Sequence, residues 1–238
     1  MSKIDIFNLA LGLVGEYKVT STDTDKKEFQ ICDRFLPEAV KEVQSKHPWR
    51  ETTKRALVLA HTERPTFGYQ YQYAVPSGCL AVLNIGDDLV DWKVEQGYIL
   101  SDYTVMPDQW QADRQFVAGQ YIIEDDITWL CNTPHTSDDT NKPGVDGTWT
   151  TQTTKRGYIR LMYSVYLADI TKWSQIMKSA IVELLAVKVI TALVNDPKAK
   201  RDALEVYETL TLPRMRSLDS RQGKPDSMFQ SSWLRSRR

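Results

Sequence analysis

This 238-residue chain contains few cysteines and histidines, and its net charge is close to zero. Its three cysteines show no CxxC spacing, which argues against a disulfide framework or a zinc knuckle. The 30 basic and 31 acidic residues nearly balance, so binding to nucleic acid through overall charge is not expected. No apolar run reaches the ~18 residues of a membrane-spanning helix, and the N-terminus lacks a secretion signal. We therefore expect a soluble protein that is made in a reducing compartment and is not exported.

Catalytic motifs are missing as well. There is no phosphate-binding glycine-rich loop, no GxSxG, no HExxH and no dinucleotide-binding fingerprint. Cys131 and His135 have i,i+4 spacing, but Pro134 between them indicates a loop, and a structural role is commoner there than a metal site. The carboxylate pairs Asp125–Asp126 and Asp138–Asp139 are more typical of solvated turns than of acid–base chemistry, because adjacent strand residues point to opposite faces. The sequence predicts no enzyme, no cofactor and no metal site.

Helical periodicity is present near both ends of the chain. Apolar residues from Ile4 to Val14 predict a short helix, which Gly15 ends in a left-handed cap. The segment Trp173–Leu193 is apolar on more than one face, as in a buried helix. Asp196 as N-cap and Pro197 at the first helical position then predict another helix.

A long helix is predicted between these ends. Its apolar stripe runs from Phe29 to Val43, and Asp25 with Glu28 reads as a capping box at its start. Pro37 lies inside the stripe, so we expect a kink there. His47–Pro48 ends the helix.

The middle of the chain changes to the two-residue period of strands. Tyr69–Val75 alternates between aromatic or apolar and polar residues, and Cys79–Ile85 and Trp92–Leu100 look like further strands separated by turns. A small antiparallel sheet is expected from them. Tyr158–Leu167 is another strand candidate. If it pairs with the strand that ends near Tyr103, the residues in between are an insertion at a hairpin tip.

The predicted insertion, Thr104–Arg156, is read as a small β module. Short strands are suggested at Gln120–Glu124 and Asp126–Leu130. Its eight acidic and four basic residues give a net charge of −4. Tryptophans recur among its glycines, prolines and aspartates. Two roles are considered for these aromatic residues.

Three aromatic residues of the insertion are candidates for contact with a glycan or with another protein: Tyr121, Trp129 and Trp149. Their spacing resembles the small β modules that phage tail proteins share with chitinase-type carbohydrate-binding domains, in which exposed aromatic faces stack on sugar rings. The alternative is that they form the core of the module, since a small domain needs aromatics for its core.

Several short stretches outside the insertion carry a family pattern: Asn8–Leu11 with Gly15, Cys32–Val40, His47–Arg50, Lys54–Ala56, Tyr73–Leu80 and Ala180–Ala186. Together they resemble the head-to-tail adaptor proteins of short-tailed bacteriophages, also called tail tubular protein A or gatekeeper. The similarity covers roughly residues 5–103 and 158–220 and includes no catalytic motif. It implies an α+β fold that is mainly a helical bundle.

The expected organisation has three parts. Residues 1–103 and 158–220 form the adaptor bundle, in which N- and C-terminal helices pack together and carry a small antiparallel sheet. Residues 104–157 form the inserted β module, and residues 221–238 form an extended basic arm after periodicity is lost beyond Pro213.

The chain beyond Pro213, which includes the basic arm, carries a net charge of +5. One interpretation is a solvated tail, and the other is an arm that becomes ordered on a partner. The resemblance favours the second, because adaptors of this family send C-terminal arms onto the portal ring. The residues predicted to bind the portal are Arg221, Lys224, Phe229, Trp233, Leu234, Arg235, Arg237 and Arg238.

By resemblance, the function is that of a structural virion protein. It would form a homo-oligomeric ring, a dodecamer in this family, that joins the portal to a tail nozzle protein similar to tail tubular protein B. The ring would line the DNA exit channel and touch passing DNA without reading sequence, with a tail fibre as a further candidate partner. The protein would be assembled in the host cytoplasm, have no membrane span, and reside in the virion tail at the head–tail interface.

Two alternatives come from other functional classes. One is a tail-associated peptidoglycan hydrolase, whose acid would be a Glu or Asp of the insertion, with Asp125 and Asp126 as the positions to test. The other is a glycan-binding tail decoration that uses Trp129 and Trp149.

Overall fold

The computed structural model describes residues 1–87, 89–152, 154–194 and 196–221. Over these residues, helices make up 37% and strands 25%, with the strands in four small sheets. The expectation of a mainly helical bundle is therefore wrong, and the fold is mixed with a long β-rich region. The longer helices stood out in the sequence because they are periodic, whereas strands of two or three residues are too short to show a period.

The chain divides into two compact units. A helical unit contains residues 1–53 and the described residues from 166 onward, and a β-rich unit contains residues 54–165. The predicted module 104–157 lies wholly within the β-rich unit, so its status as a separate insertion remains a prediction.

The helical unit is built around one apolar helix. That helix, α3, has ten buried residues among its 19 and contacts all four other α-helices of the unit. Ser174 caps its start, where the side-chain hydroxyl accepts a hydrogen bond from the Met177 backbone N–H at 3.2 Å. The helices are α1 (Lys3–Val14), α2 (Lys27–Lys46), α3 (Gln175–Leu193), α4 (Pro197–Val206) and α5 (Leu212–Ser220).

Two of the predicted helix ends are confirmed. Gly15 has φ of 79°, the left-handed conformation that ends α1 without the steric cost of a side chain. The Asp196 carboxylate accepts hydrogen bonds from the first backbone N–H groups of α4, and Pro197 occupies its first position.

The capping box predicted for α2 is wrong. Lys26 occupies the N-cap position and makes no side-chain cap, so Asp25 lies one residue outside the cap and cannot pair with Glu28 in that role. A capping box occurs instead on α1, between Ser2 and Asp5.

The helical period also continues beyond Pro213, contrary to expectation. A π-helical turn, Tyr207–Thr211, separates α4 from α5, and Pro213 lies in the first turn of α5. The Leu212 backbone N–H still donates to the Tyr207 carbonyl, and Pro213, which has no N–H to donate, follows directly on this turn. The wide turn lets one helix end and the next begin without leaving the helical path.

The β-rich unit contains strands β1 (Thr53–Leu59, whose first residue belongs to the helical unit), β2 (Tyr71–Ala74), β3 (Cys79–Ile85), β4 (Trp92–Glu95), β5 (Tyr98–Ser101), β6 (Asp108–Gln109), β7 (Gln115–Phe116), β8 (Tyr121–Glu124), β9 (Ile127–Cys131), β10 (His135–Thr136), β11 (Trp149–Thr151) and β12 (Tyr158–Val165). The sheets have the orders β1-β12-β3, β2-β5-β4, β11-β9-β8-β6 and β10-β7. Strand β1 was not predicted, although its end, Ala56–Leu59, is an uninterrupted apolar run.

The long strand β12 pairs antiparallel with β3 and also lies beside β1, rather than joining the strand that ends near Tyr103. The two ends of the segment that runs from Tyr103 to the start of β12 are nevertheless joined by hydrogen bonds. Val105 and Tyr158 exchange backbone hydrogen bonds of 2.8 and 2.9 Å in an isolated bridge. The ends of the predicted insertion are therefore neighbours in space.

The two strands predicted inside this segment are confirmed as β8 and β9, which form a hairpin. Asp125 and Asp126 make its two-residue turn, with φ of 53° and 58°. Aspartate tolerates this left-handed conformation better than most residues, as tight hairpin turns require. None of the described helices is long and apolar enough to cross a membrane.

Replacing Leu185 by alanine tests whether α3 organises the helical unit. Leu185 is fully buried, so Leu185→Ala should lower the free energy of unfolding by about 2–5 kcal/mol. Leu13→Ala removes the same atoms from a side chain that is 60% exposed and should change it by less than about 1 kcal/mol. Urea unfolding followed by circular dichroism measures both, and equal losses would contradict a core centred on α3.

Candidate interaction surfaces

An apolar groove lies between α1 and α3 of the helical unit. Its volume is about 300 Å³, and Met1, Leu9, Leu13 and Val182 line it together with polar residues of α3. Leu9 and Leu13 are 47% and 60% exposed, because the core-facing side of α1 carries Ile6, Phe7, Ala10 and Leu11 instead.

The groove is a place where the helical unit leaves apolar surface uncovered. Leu9 and Leu13 are separated by one helical turn and so lie on one face of α1. Contiguous exposed apolar surface is typical of contacts with another protein. Sequence periodicity could have found it, since both leucines fall outside the stripe Ile4, Phe7, Leu11 and Val14.

A buried polar junction anchors α5, the last described helix. His47 Nε2 lies 2.9 Å from Asp219 Oδ2, and the two side chains are 13% and 4% exposed. Arg216 Nη2 donates a hydrogen bond of 2.6 Å to the Lys46 carbonyl beside them. Residues at the end of α2 therefore hold the helix from which the predicted arm continues.

The predicted portal-binding arm is mostly outside the described residues. Arg221 is exposed and caps α5. The other arm residues lie outside the described part of the chain: Lys224, Phe229, Trp233, Leu234, Arg235, Arg237 and Arg238.

The three candidate aromatics of the β-rich unit differ in exposure. Trp149 is 5% exposed, packs edge-on against Phe116 at 5.1 Å between ring centres and donates from Nε1 to the Asn141 carbonyl. A sugar ring cannot stack on it in this arrangement. Trp129 and Tyr121 are only partly buried, so contact with a glycan or a protein through them remains a prediction.

Each of these two partly buried aromatics is already held by a neighbour. Trp129 donates from Nε1 to the Glu124 carbonyl at 3.3 Å and packs against the small core that contains Trp149. The Tyr121 ring lies 5.8 Å from the ring of Tyr158. Such contacts fix the rings in place and leave part of each ring exposed.

Two of the four carboxylates considered for catalysis, Asp126 and Asp138, have structural partners. Lys155 Nζ lies 3.1 Å from Asp126 Oδ1. Asp138 accepts hydrogen bonds from the hydroxyl and backbone N–H of Thr140, and these bonds hold the pKa of Asp138 below its usual value. A carboxyl group with a lowered pKa is a poor general acid near neutral pH.

Cys131 and His135 do come together. Cys131 Sγ lies 3.8 Å from His135 Nδ1 and donates a hydrogen bond to the Thr133 carbonyl. Burial raises the pKa of the Cys131 thiol, which disfavours the thiolate that metal binding or nucleophilic attack requires. Over residues 1–221, apart from the three undescribed positions, no group of three or more potential metal ligands occurs.

No protein-family model matches the chain, and no curated protein matches it.

Asp219→Ala tests the junction between α2 and α5. Removing a buried hydrogen-bonded carboxylate should destabilise the docking of α5 by about 1–3 kcal/mol, because His47 loses its partner. Hydrogen exchange of the amides of α5 should accelerate accordingly. Asp202→Ala removes an exposed carboxylate of α4 and should leave exchange in α5 unchanged. Equal protection in both variants would show that the junction does not hold α5.

Proposed function

We propose that this chain is a structural virion protein that forms a head-to-tail adaptor ring, joining the portal to the tail nozzle and lining the DNA exit channel. The proposal begins from the resemblance of residues 5–103 and 158–220 to adaptor proteins of short-tailed bacteriophages. The observation that best supports this proposal is the groove between α1 and α3. A protein that works by assembly needs uncovered apolar surface, and this groove provides it on the part of the chain that resembles adaptors.

Within this proposal, the groove receives a neighbouring copy of the chain. Repeating one heterologous contact around an axis closes a ring, and each subunit then covers the apolar surface of the next. Met1, Leu9 and Leu13 would be buried by that contact, while Lys178 and Glu183 at the edge of the groove would supply polar contacts. Apolar centres with polar rims are usual for such interfaces.

The C-terminal arm is proposed to bind the portal. The helix that precedes it, α5, is fixed by the junction of His47 and Asp219, so the arm would leave from a defined position. Arginine and aromatic side chains are the residue types most often central to protein interfaces. The nozzle would bind the β-rich unit. DNA would pass through the ring, and the protein would contact its charged backbone without recognising the base sequence.

Leu9→Glu combined with Leu13→Glu tests the role of the groove in assembly. Two carboxylates in an apolar interface would be desolvated without partners, so the double variant should remain folded and fail to form rings. Light scattering of the purified protein, with electron microscopy of particles, measures assembly.

Leu210→Glu is the matched control, because Leu210 is 65% exposed, belongs to the same unit and does not line the groove. It should assemble as the wild type does. Rings formed equally by the double variant would exclude the groove as the contact between copies.

Removing residues 222–238 tests the arm separately. Because the deletion begins after α5 and its cap Arg221, the remaining chain should keep its stability and its oligomeric state. It should no longer sediment with isolated portal rings, which the intact chain should do. If the shortened chain joins portal rings as the intact chain does, the proposed role of the arm is wrong.

A further inference from the structure

A second concave surface, in the β-rich unit, differs in chemistry from the groove. It is a cleft of about 470 Å³ formed by three separate segments. Residues 60–64 follow β1, Tyr71 begins β2, and residues 155–157 precede β12. Met106 adds an apolar wall.

Hydrogen bonds between the segments hold the walls of the cleft in place. The Ala60 N–H donates to the Gly157 carbonyl at 2.9 Å, and Arg156 Nη1 donates to the Ala60 carbonyl at 3.3 Å. Arg156 Nη2 donates to the Gln152 carbonyl at 2.9 Å. The cleft is thus preformed, so little conformational entropy would be lost on binding a ligand.

The charge of the cleft is entirely positive. Arg64, Lys155 and Arg156 line it, and no acidic side chain does so among the described residues. The surrounding residues 54–165 carry 14 acidic and nine basic side chains. Three of the nine basic residues are therefore gathered at one place in an otherwise acidic unit.

These cations are only partly neutralised. Lys155 pairs with Asp126, and within the described chain neither Arg64 nor Arg156 forms an ion pair. The partners of Arg156 are backbone carbonyls, which carry no net charge, and its Nε is buried without a hydrogen-bond acceptor. A half-buried cation without an anionic partner is unfavourable, and a bound anion would relieve this cost.

We propose that this cleft binds an acidic segment, rich in aspartate or glutamate, of a partner protein. The planar guanidinium group of Arg64 suits a carboxylate, which it can bind through paired hydrogen bonds. Arg156, whose Nη1 and Nη2 already donate to carbonyl groups, adds positive charge. Tyr71 and Met106 offer apolar surface for the methylene groups and backbone of a peptide.

A peptide is favoured over DNA because of the charge around the cleft. The net charge of −5 over residues 54–165 repels a long polyanion, whose affinity depends on neutralising many phosphates at once. A short acidic segment places its charge inside the cleft alone. The inference does not depend on the adaptor proposal, since any acidic partner would use the same contacts.

Binding of a fluorescein-labelled hexaglutamate peptide to the full-length protein tests the proposal, with fluorescence anisotropy as the measurement. The peptide should bind, and added salt should weaken the binding. Arg64→Gln and Lys155→Gln should each raise Kd about threefold to fivefold, and the double variant should raise it more than about tenfold. Labelled hexaglutamine should not bind.

Arg55→Gln is the matched control, because Arg55 is an exposed arginine of the same unit that does not line the cleft. Its Kd should equal that of the wild type, and all variants should keep the wild-type circular dichroism. Equal Kd values for Arg64→Gln and Arg55→Gln, or no binding of hexaglutamate, would overturn the proposal. Tighter binding of a short DNA duplex that Arg64→Gln abolishes would assign the cleft to nucleic acid instead.

The same variants separate this inference from the adaptor proposal. Arg64→Gln and Lys155→Gln lie outside the groove and should leave ring assembly intact. The Leu9→Glu and Leu13→Glu double variant changes the groove alone and should bind hexaglutamate normally. Loss of peptide binding in that double variant would contradict a ligand site confined to the cleft.

Discussion

Burial of α3 is the constraint on which the helical unit depends. A helix with apolar residues around most of its circumference is stable only when other helices surround it. The four helices that do so come from both ends of the chain: α1 and α2 precede the β-rich unit, and α4 and α5 follow it. Residues 54–165 must therefore leave the helical unit after its second helix and form a core of their own. The two-unit organisation follows from where the partners of α3 lie in the sequence.

In the described part of the chain, each unit has a concave surface, and the two differ in chemistry. In the helical unit Leu9 and Leu13 flank the core face of α1 on the edge that borders α3, so they leave apolar surface exposed there. In the β-rich unit the charged side chains that line the cleft are all cationic: Arg64, Lys155 and Arg156. Apolar surface contributes affinity without direction, whereas guanidinium groups select for charge and geometry. The two surfaces therefore suit partners of different kinds.

Local features were predicted well wherever one or two residues decide them. Gly15 ends α1 because only glycine enters the left-handed region at low cost, and Asp196 with Pro197 starts α4 for equally local reasons. Two local predictions were wrong. Lys26, and not Asp25, occupies the N-cap position of α2, and Pro213 lies inside a new helix that follows a π-helical turn. The fold class was wrong because it followed the family resemblance, which implied a mainly helical bundle, and because strands of two or three residues such as β6, β7, β10 and β11 show no period. Trp149 and Trp129 looked alike in the sequence, and packing alone made one of them a core residue.

The sequence by itself determined the apolar character of α3, the helix caps, the β8–β9 hairpin and the absence of recognisable catalytic motifs, because each depends on residues that are close together along the chain. Tertiary structure alone decided that β12 pairs with β3, that His47 meets Asp219 across more than 170 positions, and that Arg64 and Arg156 line one cleft. The physical reason is that hydrogen-bond periodicity and capping are local, whereas burial and charge pairing depend on which distant surfaces the folded chain brings into contact.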